Sequence, residues 1–503
     1  MLRFSFTKKC TFILFYLFYT LTAGFLFAQT VSRKKDIAVF RLAQSDAVPT
    51  AVAAGIDQRI TGVITSFKRF NVIGLQYRLR SADVSSFIEK IKELRENQSE
   101  IPETVLSGEE AFTRADWERL TGAFLVFVPE ITSYNEAVIY EDAVRNGKKV
   151  VKTYWEVKVK GALTIIDVSG ETMGQRVLPL SAETTSSRRS TAIDSVIDSL
   201  ASSVHTAIKF EPEFALASGI IAVDRNTHTV TIEMGKDMGV REGDEYVLQK
   251  PVFVGGKQSL IETGFLIISK VYDSFSTGKV IYANEPIVEG DTVTEHPHHN
   301  FILQGYGGIT VPMTGVTPNR STEYLRVQPT FGIRGIYGGT FHVSFLFGYE
   351  YAIQQPLGKS AALSEKPLKF SPFGMGYLGM GVYNFYAGRF KISPELQFCL
   401  SGSRVYSQSP ASKKAITVSA VAPQLGGRVL VSADYFITRR WTAGISAGLG
   451  YMHGLLKAQR AGELLKTEGM LTAAETETIG NYSWDILSSH LNTYLFIGIT
   501  GRF

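Results

Sequence analysis

The sequence predicts a multidomain α+β protein that ends in a transmembrane antiparallel β-barrel of about eight strands. Three observations predict this class. An apolar leader occupies 1–28, a segment with both helical and extended patterns covers 29–297, and two-residue alternation repeats over 298–503. The middle segment divides into a mixed α/β domain at 29–210 and a small all-β domain of SH3 or OB type at 211–297.

The amino terminus has the pattern of a secretory signal peptide. Arg3, Lys8 and Lys9 precede an apolar run from Thr11 to Ala28, which favours cleavage after Ala28. An uncleaved anchor is the alternative, because the run is near the shortest length that spans a bilayer. Loss of those three basic residues lowers the formal net charge from +5 to +2. A nearly neutral mature chain argues against nucleic acid as a partner.

In the predicted α/β domain, apolar residues alternate between helical spacing and short extended runs. We expect helices that cover a sheet. The predicted elements, in order, are a strand at Ile37–Phe40, a helix from Val52 to Phe67, a strand at Phe70–Leu75, helices near 82–97 and 109–120, a strand at 122–128, a hairpin pair near 129–141 and 149–168, and a helix near 188–208.

The small β domain is predicted from five short apolar strands divided by turns. Two turns repeat a theme, Val240-Arg-Glu-Gly243-Asp244 and Ile287-Val-Glu-Gly290-Asp291. We expect the glycines to adopt positive φ and the aspartates to accept hydrogen bonds from nearby backbone.

Two stretches of the α/β domain carry a family resemblance. Thr121-Gly-Ala-Phe-Leu-Val-Phe and Leu163-Thr-Ile-Ile-Asp-Val-Ser-Gly, in this order of elements, resemble the periplasmic domain shared by curli secretion lipoproteins, the TolB amino-terminal domain and the middle domain of flagellar assembly protein T. The small β domain that follows is similar to the carboxy-terminal domain of flagellar assembly protein T. The resemblance implies a protein-binding module. The lipobox cysteine of the curli lipoproteins is absent, and a fused barrel departs from the flagellar family.

The last segment alternates with a period of two. Near the carboxy terminus, Leu495, Ile497 and Ile499 share one face, while Tyr494 and Thr500 share the other. About eight such runs have roughly the ten-residue length of a tilted membrane strand. Short links are predicted near 335–340, 386–389 and 436–440, and long links near 313–323, 352–371, 401–415 and 452–489.

This pattern resembles the small eight-stranded outer-membrane proteins of the OmpA and OmpX type, over roughly 300–503. The resemblance implies an outer-membrane location with 29–297 in the periplasm. It also implies outer-membrane lipid and the barrel-assembly machinery as partners, with the terminal Phe503 as the assembly signal. A soluble β-sandwich with large turns is the alternative.

Seven charged residues are predicted to face the barrel lumen. Because an eight-stranded barrel leaves room for little more than side chains, mixed charges favour a salt-bridged plug over a pore. These residues are Arg326, Arg334, Glu350, Lys391, Glu395, Arg428 and Asp434.

The sequence carries only weak matches to catalytic, cofactor-binding or metal-binding motifs. Gly374-Met-Gly376-Tyr-Leu-Gly379 and Gly444-Ile-Ser446-Ala-Gly448 fit dinucleotide and nucleophile-elbow patterns, but both lie in alternating runs with no helix following. His296, His298 and His299 are the only histidine cluster, and a solvated linker is the favoured interpretation. Cys10 would leave with the leader, so Cys399 would be the one remaining thiol. We expect no catalytic residue, no cofactor and no metal.

The favoured hypothesis is a non-enzymatic outer-membrane protein. Its barrel would anchor a module that binds a periplasmic protein partner, in service of a motility or secretion apparatus. Two alternatives stay open. In the first, the long polar link at 452–489, which carries several charged residues, binds external ligands as an adhesin would. In the second, the barrel is a narrow channel.

Overall fold

The computed structural model describes residues 32–96, 104–107, 110–145, 148–168, 174–255, 257–314, 327–338, 341–352, 355–359, 367–407, 418–454 and 489–502. The predicted signal peptide, Arg326, Phe503 and most of the long link at 452–489 lie outside these ranges. None of the helices within them is long and apolar enough to cross a membrane.

The first domain is a twisted sheet with helices on both faces. Its elements are β1 Lys35–Arg41, β2 Ala43–Gln44, α1 Thr50–Ser66, β3 Phe70–Arg78, α2 Val84–Glu96, β4 Thr104–Ser107, β5 Glu110–Thr113, α3 Arg114–Gly122, β6 Leu125–Arg145, β7 Lys148–Asp167, β8 Gly174–Ser186 and α4 Arg189–Phe210. The sheet order is β3-β1-β6-β7-β8. Strand β1 is parallel to β3 and β6, and the remaining neighbours β6-β7-β8 are antiparallel.

Each sheet face buries its own core. Helices α1 and α4 pack on one face through residues such as Ile56, Ile60 and Val204. Helices α2 and α3 cover the other face, where Phe87, Phe112 and Trp117 contact one another. The predicted mixed α/β arrangement is therefore present, because the apolar faces of the helices are buried against the sheet.

Several elements of the first domain differ from the prediction, among them the short strands β2 and β4, which the sequence analysis does not contain. The predicted strand at 122–128 and first hairpin strand are one 21-residue strand, β6. Strand β8 was not predicted, because it is an edge strand in which only Leu180 and Ala182 are buried and its sequence has little apolar alternation. The short helix begins at Arg114 rather than near 109, since Glu110–Thr113 pairs with β4 instead.

The second domain is a closed six-stranded barrel. Its strands are β9 Ala217–Asp224, β10 Thr229–Ile232, β11 Glu245–Val254, β12 Lys257–Val271, β13 Ser276–Ala283 and β14 Thr292–Glu295, joined in the order β10-β13-β12-β11-β14-β9. The two repeated turns have the predicted geometry. Gly243 and Gly290 have φ of 89° and 95°. Asp244 accepts a hydrogen bond from the backbone N–H of Arg241 at 2.7 Å, and Asp291 accepts one from Val288 at 3.0 Å.

The third domain is a closed antiparallel barrel of eight strands, which confirms the predicted strand number. The strands of this part of the chain are β15 Phe301–Thr314, β16 Gln328–Gly338, β17 Ser344–Ala352, β18 Gln355–Lys359, β19 Pro367–Gly381, β20 Phe385–Ala387, β21 Phe390–Ser407, β22 Val418–Phe436, β23 Trp441–Gly454 and β24 Ser489–Arg502. Pairing of β15 with β24 and of β19 with β21 closes the ring, and the short β18 and β20 are additions to it.

The outer surface of this barrel is apolar. On β24, Ile497 and Ile499 are 67% and 60% exposed, whereas their neighbours Phe496 and Thr500 are buried in the interior. The described residues of the short links, 341–343, 382–389 and 437–440, lie at one end, together with the start of β15 and the end of β24. The strand ends that border 315–326, 408–417 and 455–488, three stretches outside the described residues, lie at the other end.

Candidate functional site

The barrel lumen holds the predicted charged residues. Six of the seven, Arg334, Glu350, Lys391, Glu395, Arg428 and Asp434, occupy inward positions; the seventh, Arg326, is outside the described residues, as is Phe503. Each of the six follows the strand alternation that points every second side chain inward. Sequence parity therefore located the correct face of each strand.

Arg428 is the centre of the first ion pair. Its guanidinium donates to Glu350 twice, Nη1 to Oε2 at 2.9 Å and Nη2 to Oε1 at 2.5 Å. The Arg428 group also lies over the rings of Tyr377 and Tyr494, 4.6 and 5.0 Å from their centroids. Both charged side chains are almost completely buried. A planar guanidinium suits this combination of a forked carboxylate contact and aromatic stacking.

Arg334 is the centre of the second pair. Its Nη1 donates to Glu395 Oε2 at 2.7 Å, and its Nε donates to the Gln304 side-chain oxygen. The other Glu395 oxygen accepts from the Ser432 hydroxyl at 2.7 Å, and Ser432 in turn contacts Ser446 at 2.8 Å.

Uncharged polar residues join the two pairs. Gln397 accepts a hydrogen bond from Arg428 Nε at 2.6 Å and donates one to Glu395 at 2.8 Å. The Tyr306 hydroxyl donates to Glu350 at 2.6 Å and lies 2.8 Å from the Tyr377 hydroxyl. Sequence reasoning missed these residues, because an inward glutamine or tyrosine carries no signal beyond the alternation it shares with every other inward residue.

A third, looser pair lies nearer the end with the short links. Lys391 Nζ is 3.5 Å from Asp434 Oδ2, and both side chains are mostly buried. The three pairs together carry three positive and three negative charges, so their formal charges cancel. Lys391 and Asp434 are opposite each other on the neighbouring strands β21 and β22. The Arg428–Glu350 and Arg334–Glu395 pairs cross the lumen, where they fill its narrow section and connect strands that are not neighbours.

The six-stranded barrel is docked on the end of the eight-stranded barrel where the short links lie. Phe265, Ile267, Ile281 and Tyr282 of the small domain form one buried cluster with Phe341, Tyr386 and Phe436, which lie in or next to the short links. Phe265 and Phe436 have ring centroids 6.1 Å apart. This apolar contact is the centre of the junction between the two barrels.

Polar contacts surround that cluster. Arg502, at the end of β24, makes an ion pair with the buried Glu245 of β11. Arg439 pairs with Glu262 at 2.9 Å, and Arg389 lies over the Tyr282 ring, 4.3 Å from its centroid. Each contact joins the small domain to a short link or to the carboxy-terminal strand.

His296 and His298 belong to this junction, which corrects the expected solvated linker for these two residues, whereas His299 is exposed. His296 and His298 are half-buried, and the backbone N–H of His296 donates to the Glu245 carbonyl at 2.7 Å. Burial, helped by the nearby Arg439, lowers the pKa of His296 to about 4. His299 stacks on Phe210 of α4 with centroids 4.1 Å apart. Within the part of the chain that the structure describes, no three histidine, cysteine or acidic side chains are grouped for a metal ion.

The two glycine motifs lie inside strands. Gly374 to Gly379 belongs to β19 and Gly444 to Gly448 belongs to β23, neither of which leads into a helix. Ser446 faces the lumen and contacts Ser432. Neither segment has the turn that its motif requires.

Comparisons with known proteins find similarity only at the level of solved structures. No family model matches the chain, and no curated protein matches it. Neisserial surface protein A is 13% identical and covers 41% of this chain and 100% of its own, with a TM-score of 0.24. Ail, the attachment invasion locus protein of Yersinia pestis, is 10% identical over 41% of this chain and 99% of its own, with a TM-score of 0.23. A major outer membrane protein from Thermus thermophilus is 9% identical over 41% of this chain and 100% of its own, with a TM-score of 0.25. At such TM-scores the similarity carries no functional conclusion.

Proposed function

We propose that this chain is a non-enzymatic outer-membrane protein. Its filled barrel anchors a rigidly docked two-domain module in the periplasm, where that module binds other proteins of the envelope. The apolar outer surface of the barrel suits lipid, and ring closure leaves no sheet edge that lipid would have to solvate.

The docking of the small barrel carries the proposal. It contacts the barrel end that holds the short links, the start of β15 and the end of β24. In outer-membrane barrels the short turns are periplasmic and the longer loops are external. The module at 32–297 would therefore lie in the periplasm, fixed against the inner mouth of the barrel.

The buried ion pairs support an anchor rather than a channel. Arg334 and Arg428 are each 4% exposed or less and are held by carboxylates across the lumen. An ion would have to displace these pairs to pass, which makes a narrow channel the weaker proposal. The external ligand-binding alternative depends on the link at 452–489, most of which lies outside the described residues.

The partner class that we propose is a periplasmic component of an envelope assembly, such as a motility or secretion apparatus. The resemblance of the α/β domain implies this class. An open groove of about 860 Å³ between α1 and α4, lined by Gln58, Arg59, Asp194 and Asp198, is a suitable place to search for it.

The test uses the full-length chain in cells, with a photo-crosslinking amino acid at Gln58 on α1 or at the exposed Glu89 on α2. A defined periplasmic protein should be captured at one or both positions. The lipid-facing Ile497 is the matched control position and should capture none. Failure to capture any protein at several positions on both helical faces would reject the protein-binding role.

A further inference from the structure

The hairpin of β6 and β7 extends far beyond its own sheet. Strand β8 pairs with β7 from Trp155 to Asp167, and β1 and β2 pair with β6 no further than Ile131. Beyond these limits, within the described residues, β6 and β7 pair only with each other. We call Val138–Arg145 with Lys148–Tyr154 the ribbon.

The ribbon exposes apolar side chains in place of a core. Tyr140 and Val144 are 70% and 73% exposed, and Val138, Ile139, Val150 and Val151 are exposed as well. A two-stranded ribbon is at best marginally stable in water, and both of its backbone edges are free to pair with another strand. These properties indicate a surface that is covered in the working protein.

The two edges carry opposite charge. Glu141, Asp142 and the terminal Arg145 lie on the β6 strand of the ribbon, and Lys148, Lys149 and Lys152 lie on the β7 strand, with Glu141 opposite Lys152. Glu141, Asp142, Lys149 and Lys152 are exposed. One ribbon therefore presents a strand of net negative charge on one side and a strand with only basic charges on the other, so the β6 edge of one copy is complementary in charge to the β7 edge of another.

We propose that the ribbon is an assembly interface between copies of this chain, in which the β6 edge of one ribbon pairs with the β7 edge of the next. The geometry rests on the proposed function in one respect, namely that the barrels hold all copies in the same orientation in one membrane. Ribbons that stand side by side and point the same way bring β7 of one copy next to β6 of its neighbour. Those two strands then run antiparallel, as in an ordinary sheet.

Charge selects this arrangement over the symmetric one. Pairing of β6 with β6 would bring Glu141 and Asp142 near their own copies, and like charges across strands are unfavourable. Pairing of β6 with β7 brings carboxylates near Lys149 and Lys152. A contact between two different edges leaves one edge open at each end, so it continues until a ring closes or a filament forms.

The test is charge exchange in the full-length protein, measured by native mass spectrometry in detergent and by crosslinking in liposomes. The wild type should form oligomers larger than a dimer. Glu141→Lys with Asp142→Lys should weaken assembly at least about tenfold, and Lys149→Glu with Lys152→Glu should do the same. An equimolar mixture of these two double variants should assemble again, because every contact then joins a basic edge to an acidic one. A chain with all four changes should also assemble.

The control variant carries Asp46→Lys with Asp237→Lys on exposed surface elsewhere in the first two domains and should assemble like the wild type. Barrel folding is checked for every variant by its heat-dependent mobility on gels. A monomeric wild type, or folded variants that do not recover assembly on mixing, would overturn the proposal. Capture of a different protein by the ribbon in place of a second copy would also overturn it. Outer-membrane fractionation of the same variants tests the anchoring separately, so the two failures are distinguishable.

Discussion

Arg69 of the α/β domain donates two hydrogen bonds to Glu295 of the small barrel, Nη1 to Oε2 at 2.7 Å and Nη2 to Oε1 at 3.2 Å. Both side chains are buried. Arg69 also donates to the Phe214 carbonyl at 2.8 Å, and Glu295 accepts from the Leu216 backbone N–H at 3.1 Å. The two domains are therefore joined by a buried ion pair. Removal of either side chain would leave the charge of the other buried without a partner.

Arg69→Met should loosen the two soluble domains from each other. The change leaves the Glu295 carboxylate buried without its partner, which typically costs about 3–5 kcal/mol. Limited proteolysis should cut near 211–216 faster, and urea unfolding should separate into two transitions. Arg69→Met combined with Glu295→Met should recover part of the loss. If the single and the double variant are equally stable, the pair does not couple the domains.

Glu350→Ala should destabilise the barrel by about 3–5 kcal/mol, because Arg428 would then be buried without a carboxylate. The measurement is the denaturant concentration at which the barrel loses its heat-dependent gel mobility. Ile497→Ala, on the exposed outer face, is the matched control and should change this midpoint far less. Equal effects of the two changes would contradict a structural role for the lumen network.

The wild-type protein should give no single-channel steps in planar bilayers. Arg334→Ala with Glu395→Ala removes two charges from the lumen at once and leaves neither ion without its counterion, so a small conductance should appear. Regular conductance steps from the wild type would contradict the plug. They would favour the narrow channel instead.

Asp244 should make the small barrel less stable as pH rises. Burial, opposed by the hydrogen bond from the Arg241 backbone, raises the pKa of Asp244 to about 6. An aspartate in an unfolded chain titrates near 3.9, so between about pH 4 and 6 the folded state holds a proton that the unfolded state has lost. Stability therefore falls through this range and then levels off, by up to about 3 kcal/mol.

Asp244→Asn should remove this slope and should be more stable than the wild type above pH 6. Unfolding of the full chain, followed at several pH values from 4 to 8, measures it. Asp291→Asn, in the matching turn of the repeat, is the control. A wild type and an Asp244→Asn variant with the same pH profile would show that the carboxylate is not perturbed.

Period-two alternation was enough to predict the eight strands and the inward position of residues such as Arg334 and Glu395. This prediction succeeded because side chains alternate between the two faces of a strand, so one residue of known orientation sets the orientation of the others. It could not select Gln397 or Tyr306 as the residues that link the ion pairs, since their role depends on which strands meet across the lumen. For the same reason, the sequence did not predict that the small barrel docks on the larger one. Phe265 and Phe436 are far apart in sequence, and each has the local pattern of an ordinary core residue.

The proposed role depends above all on the barrel holding the two soluble domains against its periplasmic mouth. Protease digestion of intact and permeabilised cells, with fragments identified by mass, measures this topology. We predict that intact cells show cleavage only in external links such as 455–488, and that 32–297 is cut only after permeabilisation. Cleavage within 32–297 in intact cells would contradict the proposed topology and would place the module outside the cell.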